Sequence, residues 1–552
     1  MGARRWWLGT SSKWAATAAS LWIQCTSGPA YCFGIYSPLL KSSQSYDQST
    51  LDTVAFFKDL GANAGVLSGL LYSSSGPRSV LAAGAAQCFA GYFLMWLAVT
   101  GALPRVPVPL MCLFMLLAAH AQTFFNTANV VTAVHNFPSY RGTVVGIMKG
   151  FLGLSAVILI QLYRTLYSGN SSYFLLMLAV LPAFLPLVLM YFVNVHSSYG
   201  GDNKQLLDGF SLIALIIAGY IMALVIWENV GTMGSPARIL TFLVLIMLLS
   251  SPIAIVVRGH MRDTRIQFET SSHERILLTN DVDPSEVTGQ RESDALPPRK
   301  SCLKSDSSAH WHEAPERDAQ MPRTVENLNI LQAMWTCDFW LLFLAMACGM
   351  GSGLATVNNI SQIGSSLGYT SVETSTLISL WSIWNFLGRF GTGYISDYFL
   401  RIQGYARPIF MAITLGTMSI GHAVISSGLP GALYVGSILV AVCYGSQWSL
   451  MPIITSEIFG LRHFGTIFNA IAIASPLGSY ILSVRVVGYI YDMEASTSDK
   501  STCTGIHCFM LSFLIMAAVS LFGSIVALIL FMRTRMFYKQ VIVAKLQHSV
   551  IL

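Results

Sequence analysis

The chain has 552 residues, of which 54% are hydrophobic and only 11% are charged, and its mean hydropathy is +0.58. Because soluble domains carry about a quarter charged residues, this composition predicts an all-α polytopic membrane protein with the lipid bilayer as a partner. The formal charge of +6 is divided between one polar segment and short loops, so it predicts no nucleic-acid partner. The sequence contains no serine–histidine–aspartate set, phosphate loop or complete metal motif, so an enzyme is not expected.

Apolar stretches long enough to cross a bilayer, about 20 residues each, follow one another in groups of six, two and six. The fourteen predicted spans are Trp14–Leu39, Leu51–Ser73, Ser79–Thr100, Val106–His135, Thr143–Leu162, Tyr173–Val195, Leu206–Ile226, Pro236–Val257, Asp338–Ile363, Glu373–Ser396, Ala406–Ser427, Leu433–Ser456, Gly465–Tyr491 and Cys508–Met532. The middle pair is either two full spans or one span with a re-entrant segment. The predicted domains are a six-helix half at 1–195, an extra transmembrane pair at 196–257, a linker at 258–336, and a second six-helix half with a tail at 337–552.

The two six-helix groups repeat one another. Shifting the sequence by 323 residues superposes Gly28 on Gly351, Tyr46 on Tyr369, Gly65 on Gly388, and Gly142-Thr143 on Gly465-Thr466. One constant offset that aligns four separate places indicates an internal duplication.

Basic residues near the ends of the spans predict the orientation. Lys and Arg collect on the side that holds the N-terminus, the linker and the C-terminal tail, so both termini are expected in the cytoplasm. The linker at 258–336 is rich in Ser, Asp, Glu, Pro and Arg without periodicity and is expected to be disordered. Its serines at 301, 305, 307 and 308 are either phosphorylation sites or part of a solvated tether.

The stretch Gly388–Asp397 is a glycine-rich end of an apolar run that stops at an aspartate and a basic loop. Together with the duplicated halves and the long linker, its Gly393-Tyr394-Ile395-Ser396-Asp397 resembles the loop between the second and third helices in the major facilitator superfamily. The resemblance implies that Asp397 accepts hydrogen bonds from a neighbouring helix N-terminus and forms an inner latch with Arg389. The equivalent place in the first half, Ser74–Arg78, lacks the aspartate.

Within that superfamily, the chain resembles the plant nodulin-like group, which includes the nuclear-fusion-defective type. The motifs that carry the resemblance are Trp22-Ile23-Gln24, Tyr31-Cys32-Phe33-Gly34, Tyr36-Ser37-Pro38, Lys58-Asp59-Leu60-Gly61, Phe137-Pro138, Arg141–Gly146, Gly445–Trp448 and Ser456–Gly460. The resemblance implies a plant membrane protein, distantly like oxalate/formate and monocarboxylate carriers. It does not imply a particular solute, nor does it choose between the plasma membrane and the vacuolar membrane.

Ionisable residues inside spans are costly, so each is a functional candidate. Asp59 and Arg485 have similar predicted depths on helices that face each other in facilitator geometry. We therefore expect an Asp59–Arg485 pair that closes an outer gate, with Lys58 nearby; the alternative is a fixed ion pair without a gating role. Glu457 is a further gate candidate. It lies with Arg462 where a span meets the cytoplasm, as Arg141 and Lys149 do in the first half, and the alternative there is anchoring by snorkelled charges.

Polar side chains on the first and fourth helices of each half are candidates for binding the solute, since these helices line the cavity in such folds. The alternative is that these side chains hydrogen-bond between helices. The candidates are Gln24, Tyr31, Asn126, Asn129, Asn359, Gln362, Tyr444 and Gln447. An anionic solute would need a deep cation, for which Lys149, Lys58 and Arg485 are available, and an uncharged or zwitterionic solute remains open.

Cys503 and Cys508 fall in the last extracytoplasmic loop, where a disulfide is expected. A metal site with the intervening histidine lacks a fourth ligand, and neither a metal nor a cofactor is expected. The sequence thus favours a monomeric secondary carrier of a small polar solute or organic anion, with protons as a candidate coupling ion. The alternative is a sensor or scaffold that signals through its linker.

Overall fold

A computed structural model describes residues 12–103, 105–167, 171–196, 203–231, 234–265, 327–497 and 503–543. The described residues are helical and contain no β-strand. Most of the predicted linker, including its serine cluster, lies outside these ranges.

The first six-helix half begins with a broken helix. The Ser12 side chain caps the first segment by accepting from the Ala15 amide, and the helix breaks at Gly28-Pro29, where proline has no amide hydrogen to donate. A second break separates the next two segments at Ala64-Gly65, and the chain turns at Gly76, which has a φ of +76° that favours glycine. The helices are α1 (Lys13–Thr26), α2 (Phe33–Gln44), α3 (Gln48–Asn63), α4 (Val66–Val99), α5 (Val108–Asn136), α6 (Arg141–Leu166) and α7 (Ser171–Leu189).

The extra pair consists of α8 (Lys204–Val230) and α9 (Ser235–Ser250), with helical backbone continuing over 252–265. It attaches to the first half: the Trp22 indole donates to the Leu249 carbonyl at 2.7 Å, and Gln161 donates to Glu228 at 2.9 Å. Arg164 forms an ion pair with the same Glu228 at 2.7 Å. The pair therefore packs as an addition to the first half.

The second half repeats the arrangement with a more irregular fifth helix. That helix changes from α-helix to a π-helical segment at Tyr480–Gly488. The helices are α10 (Ile330–Met334), α11 (Cys337–Ser366), α12 (Ser371–Gln403), α13 (Pro408–Ser426), α14 (Ala432–Ile458), α15 (Phe464–Ala472), α16 (Ala474–Ser479), α17 (Tyr489–Thr497) and α18 (His507–Phe537).

Eleven helices among the described residues are long and apolar enough to cross a membrane, and the count of fourteen spans stays a prediction. Three features account for the difference. One continuous stretch, Ser49–Val99, holds two predicted spans on either side of the Gly76 turn, and the first predicted span is divided into two short helices. The predicted span Glu373–Ser396, which lies in α12, is not among the eleven.

The structure differs from the predicted linker at both edges. Helical backbone runs to Arg265, and the described backbone begins again at Asn327, nine residues before the predicted end at 336. Asn327 accepts from the backbone amides of Leu461 and Arg462, and Asn329 with Gln332 forms a capping box for α10. Those local hydrogen bonds order the residues that composition assigned to the linker.

The most buried helices mark the centre of the molecule. In the most apolar part of α6, 94% of the residues are buried, and in that of α14, 83% are buried. In the helical stretch Ser235–Arg265 the corresponding share is only 17%. Because α6 belongs to the first half and α14 to the second, the interface between the halves forms the middle of the bundle.

Candidate functional site

The two halves are bonded to each other at the end of the bundle that holds Asp397. Asp397 on α12 accepts from the backbone amides of Gly142 and Thr143 at 3.0 and 2.6 Å, and from the Thr143 hydroxyl at 2.8 Å. The start of α6 has no capping side chain of its own, so a carboxylate from the other half satisfies its free amides. The structure thus shows the helix N-terminus contact that the resemblance implied for Asp397.

Arg407 is the centre of a buried charge cluster at this end. Its guanidinium donates to Asp397 at 2.6 Å, to Glu457 at 2.8 Å and to the Ser396 hydroxyl at 2.7 Å. The Tyr538 hydroxyl donates to the other oxygen of Glu457 at 2.8 Å. All of these side chains are buried, so Glu457 is not a snorkelled anchor at the membrane surface.

Arg407 was not among the predicted gate residues, although the sequence carries a signal for it. It lies ten residues after Asp397 in the basic loop, directly before Pro408, which begins α13. A short loop of this length returns the chain to the end of the neighbouring helix, and the buried aspartate needs a cation there.

Further contacts join the halves around this cluster. Arg141 on α6 donates to the Ser456 carbonyl at 3.2 Å, and Arg401 donates to the Ser139 carbonyl while its guanidinium covers the Tyr140 ring. We call Asp397, Arg407, Glu457, Ser396, Tyr538, Arg141 and Arg401 the latch.

The corresponding contact of the first half has no carboxylate. A Cβ on Gly69 of α4 would lie 2.4 Å from the Thr466 backbone nitrogen, so the two helices touch through backbone. Beside it the Asn469 amide donates to the Thr127 hydroxyl at 2.7 Å, across the two halves. The missing aspartate is thus replaced by close packing and a neutral hydrogen bond.

A cavity of about 350 Å³ lies between the halves. Lys149 on α6 and Arg389 on α12 line it and are buried, at 1% and 2% exposure. The Lys149 ammonium lies 4.9 Å from the Trp448 ring centroid and 5.5 Å from that of Phe468. These cation–aromatic contacts partly replace the water that a lysine would otherwise keep.

Lys149 therefore does not lie where the span meets the cytoplasm, as its grouping with Arg141 predicted. The structured helix begins at Arg141, which places Lys149 about 12 Å further along the axis. Arg389 also differs from its prediction. It is bonded to Asn385 at 2.6 Å and to the Lys149 carbonyl at 3.0 Å, and lines the cavity rather than joining the latch.

The cavity carries an excess of positive charge. Among the described residues that line the cavity, Asp59 is the only acidic one, and it forms an ion pair with Lys58 at 3.0 Å. No ion pair to Lys149 or Arg389 is present among the described residues. The two buried cations therefore face the cavity without an anion to balance them.

Three of the eight predicted solute-binding residues line the cavity, namely Tyr31, Asn126 and Tyr444. Gln24, Asn129 and Gln447 are fully buried elsewhere, and Gln362 is exposed outside the cavity. Asn359 donates to Ser483 at 2.8 Å, whereas the preceding Asn358 lines the cavity. A difference of one residue turns a side chain by about 100° around a helix, which is enough to change its neighbours.

Sequence reasoning missed several lining residues that lie one helical turn from a residue it had chosen. Gln122 and Asn126 are one helical turn apart on α5, Asn385 precedes Arg389 by one turn on α12, and Trp448 lies one turn after Tyr444 on α14. Residues four apart share a face of a helix, so the sequence could have indicated each of these residues by its distance of four from a residue already chosen.

The predicted Asp59–Arg485 pair is not formed in this structure. The Arg485 guanidinium lies 5.8 Å from the Tyr480 ring centroid, and Tyr480 in turn contacts Phe56 of α3 at 5.5 Å. Arg485 lies in the π-helical segment, where each turn takes an extra residue and the side chains rotate away from their α-helical positions. The prediction assumed a regular helix.

Cys503 and Cys508 are joined by a disulfide. The His507 ring nitrogen lies 3.7 Å from the Cys503 sulfur, and the Gly505 amide donates to the Ser366 carbonyl at the end of α11. Because both sulfurs are in the disulfide, they are not thiolate ligands for a metal, and the loop acts as a brace at the end opposite the latch.

Two family models match consecutive parts of the chain. The model described as Nodulin-like matches residues 13–257, and the model described as NFD4, C-terminal domain, matches residues 323–540. By these matches, residues 13–257 are nodulin-like, and residues 323–540 are similar to the NFD4 C-terminal domain. Its two matched parts correspond to the first half with the extra pair and to the second half.

Individual relatives of this chain agree with those matches. It is 26% identical over 549 residues to Protein NUCLEAR FUSION DEFECTIVE 4 of Arabidopsis thaliana, covering 96% of this chain and 90% of that protein. It is 28% identical to Probable transporter MCH1 of Candida glabrata over 170 residues, which cover 28% of this chain and 34% of that protein.

Solved structures show the fold. The major facilitator superfamily proton:xylose symporter XylE, bound to 6-bromo-6-deoxy-D-glucose, superposes with a TM-score of 0.54. It is 12% identical and the match covers 94% of this chain and 95% of that one. The chain therefore has the major facilitator fold and is an integral, multi-pass membrane protein.

Proposed function

We propose that this protein is a secondary transporter that carries a small organic anion across the membrane by alternating access. The observation that carries the proposal is the pair of buried cations, Lys149 and Arg389, which face a cavity between the two halves without a balancing carboxylate. Membrane transport is also the function that the name of the Candida glabrata relative states.

The energetics of the cavity favour an anion. Removing a charge from water costs several kcal/mol even after relaxation, and a cation–aromatic contact offsets only about 0.5–2 kcal/mol. Lys149 and Arg389 therefore remain incompletely stabilised when the cavity holds water alone. A carboxylate between them would supply the missing opposite charge.

The arrangement of contacts supports alternating access. The latch and the Asn469–Thr127 bond join the halves on one side of the cavity, whereas the Lys58 and Asp59 side chains, towards the other side, keep 14% and 20% exposure. The distribution of Lys and Arg places the latch on the cytoplasmic side. In the opposite state the latch opens, and Asp59 approaches Arg485 to close the outer side.

Asp59 is the residue through which protons would couple to transport. It is a carboxylate inside the cavity, held by Lys58 one residue earlier. An Asp59→Asn variant should lose the dependence of uptake on a proton gradient while keeping exchange of the anion. Unchanged gradient dependence would remove Asp59 from the coupling mechanism.

Counterflow in proteoliposomes tests the proposal. Purified protein should exchange a labelled carboxylate, and Lys149→Leu should reduce the rate at least tenfold, with partial recovery in Lys149→Arg because charge returns. Lys539→Leu is the matched control, since it removes one exposed lysine outside the cavity. The absence of counterflow for every carboxylate, or a Lys149→Leu rate equal to that of the control, would overturn the proposal.

A further inference from the structure

The wall of the cavity in the first half presents two buried oxygens that have no hydrogen-bond partner. Gln122 and Asn126 lie one turn apart on α5, so their side chains share a face. The Asn126 Oδ1 and the Gln122 Oε1 are both buried and unpartnered, and each residue is only 7% exposed. The Gln122 amide nitrogen is already engaged with the Tyr31 hydroxyl at 3.4 Å. Both oxygens are acceptors that lack a donor.

The cavity is also lined by charged groups and hydrogen-bond donors that lack a matching anion or acceptor. The Lys149 ammonium and the Arg389 guanidinium have no carboxylate partner among the described residues, and the Trp448 indole nitrogen, also lining the cavity, is buried without an acceptor. Buried polar groups are nearly always paired in native structures. A bound molecule that satisfies both sets must therefore carry an anionic acceptor and a hydrogen-bond donor.

We propose that the transported anion is a small hydroxycarboxylate, whose carboxylate lies between Lys149 and Arg389 and whose single hydroxyl hydrogen is shared, as a bifurcated bond, between the oxygens of Asn126 and Gln122. This inference rests on the proposed transport of an anion and adds the chemical class of that anion. A plain carboxylate leaves the two acceptors unmatched, and an uncharged polyol leaves the two cations unmatched.

An α-amino acid fits less well for an electrostatic reason. Its ammonium would donate to the same oxygens, but it would add a positive charge to a cavity that already holds Lys58, Lys149 and Arg389 against Asp59. Asp59 is already paired with Lys58. The hydroxyl group supplies the donor without the charge.

The consequence is selectivity for the hydroxyl. A site that hydrogen-bonds a ligand hydroxyl discriminates strongly against the analogue without it, because its own polar groups are then left unpaired. We expect about 10- to 100-fold weaker binding for the deoxy member of a matched pair.

The test is a binding measurement on the purified full chain with matched pairs of acids. The pairs are malate with succinate, lactate with propionate, and glycolate with acetate, with alanine as the amino-acid probe. The variants Gln122→Met and Asn126→Leu remove one oxygen each. Gln362→Met is the matched control because Gln362 is exposed outside the cavity.

The expected result is that the wild-type chain binds the hydroxylated member of at least one pair 10- to 100-fold more tightly, and alanine no better than propionate. In Gln122→Met and Asn126→Leu, the affinities of the two acids of that pair should differ by no more than about threefold, and binding of the deoxy acid should not be weaker than in the wild type. The control variant should retain the wild-type difference in affinity. Equal binding within every pair, or discrimination that survives both variants, overturns the inference.

The outcomes separate this inference from the proposed function. If the acids bind equally but lose affinity in Lys149→Leu, anion binding stands and the hydroxyl selectivity is wrong. If no acid binds, or if Lys149→Leu binds all of them unchanged, both proposals are wrong.

Discussion

At the latch, Arg407 and Asp397 form a buried ion pair. Asp397 connects the halves because it accepts from the amides at the start of α6, and Arg407 holds that carboxylate in place through further bonds to Glu457 and Ser396 of its own half. A buried ion pair of this kind is costly to break on one side only, because the other charge stays buried. The latch therefore favours the state seen in this structure.

Replacing Asp397 with Asn should shift the molecule away from that state. The change keeps the side-chain shape but weakens charge-assisted hydrogen bonds worth about 1.5–3 kcal/mol, which corresponds to roughly a tenfold or larger change in population. We expect a single cysteine placed at Thr143 to react faster with a membrane-impermeant thiol reagent applied from the latch side. Asp492→Asn, outside the latch, serves as the control, and equal labelling rates would contradict the latch assignment.

Residue-level prediction succeeded where a motif fixes the surroundings of a side chain. Asp397 was placed correctly at a helix N-terminus because the resemblance of its Gly-x-x-x-Asp stretch to the superfamily loop implied that contact. Asn359 and Lys149 were misplaced because their assignment depended on helix start and rotation. Apolar composition defines a helix only to within a few residues, whereas one residue of error turns a side chain by about 100°.

At the scale of elements, α6 and α12 cross at a contact that requires glycine. A Cβ on Gly393 would lie 2.3 Å from the Gly142 carbonyl oxygen, and a Cβ on Gly142 would lie 2.3 Å from the Gly393 carbonyl oxygen. Within Gly388–Asp397, Gly393 therefore permits contact between the two halves, whereas Gly388 permits close packing on Val442 inside the second half.

Gly393→Val should separate α6 from α12 and open the latch side. Gly391→Val is a well-matched control on the same helix, because a Cβ at Gly391 meets nothing within 4 Å. With the same cysteine-labelling assay, we expect Gly393→Val to increase reactivity at the latch side severalfold and Gly391→Val to leave it near wild type. Equal effects of both valines would show that the crossing does not hold the halves together.

The order of the elements was predictable, but their irregularities were not. The six, two, six pattern follows from runs of apolar residues, which is why the two halves and the extra pair were anticipated. The breaks at Gly28-Pro29 and Ala64-Gly65 lie where Gly28 packs closely on Ser155 and Gly65 on Asn469, contacts that runs of apolar residues do not encode, and the same holds for the change to π-helix at Tyr480–Gly488. Arg485, whose pairing with Asp59 we propose for the opposite state, lies in that π-helical segment and faces Tyr480 in this structure.

For the whole molecule, the halves meet where α6 packs on α12 and where α4 packs on α15, and the latch holds one side of that interface. The fold is one in which halves rock about a central site. The extra pair is bonded to the first half through Glu228 and Leu249 and should move with it as one body. The account therefore predicts opposite changes in distance at the two ends of the bundle when the anion is turned over.

Pulsed electron spin resonance on two label pairs tests this most directly. One pair, Ser74 with Gln403, spans the halves at the latch side, and the other, Ser42 with Ser365, spans them at the opposite side; all four positions are exposed. Cys302 and the exposed Cys337 are replaced by serine, since the other free cysteines among the described residues are buried. Measurements use the chain in nanodiscs, with and without malate, in wild-type, Asp397→Asn and Lys149→Leu backgrounds.

We expect Asp397→Asn to lengthen the Ser74–Gln403 distance and shorten the Ser42–Ser365 distance together. Malate should change the balance between these two populations in the wild-type and Asp397→Asn backgrounds but not when Lys149 is replaced by leucine. Distances that stay fixed at both ends under every condition, or that change at one end independently of the other, would contradict transport by alternating access around the Lys149–Arg389 site.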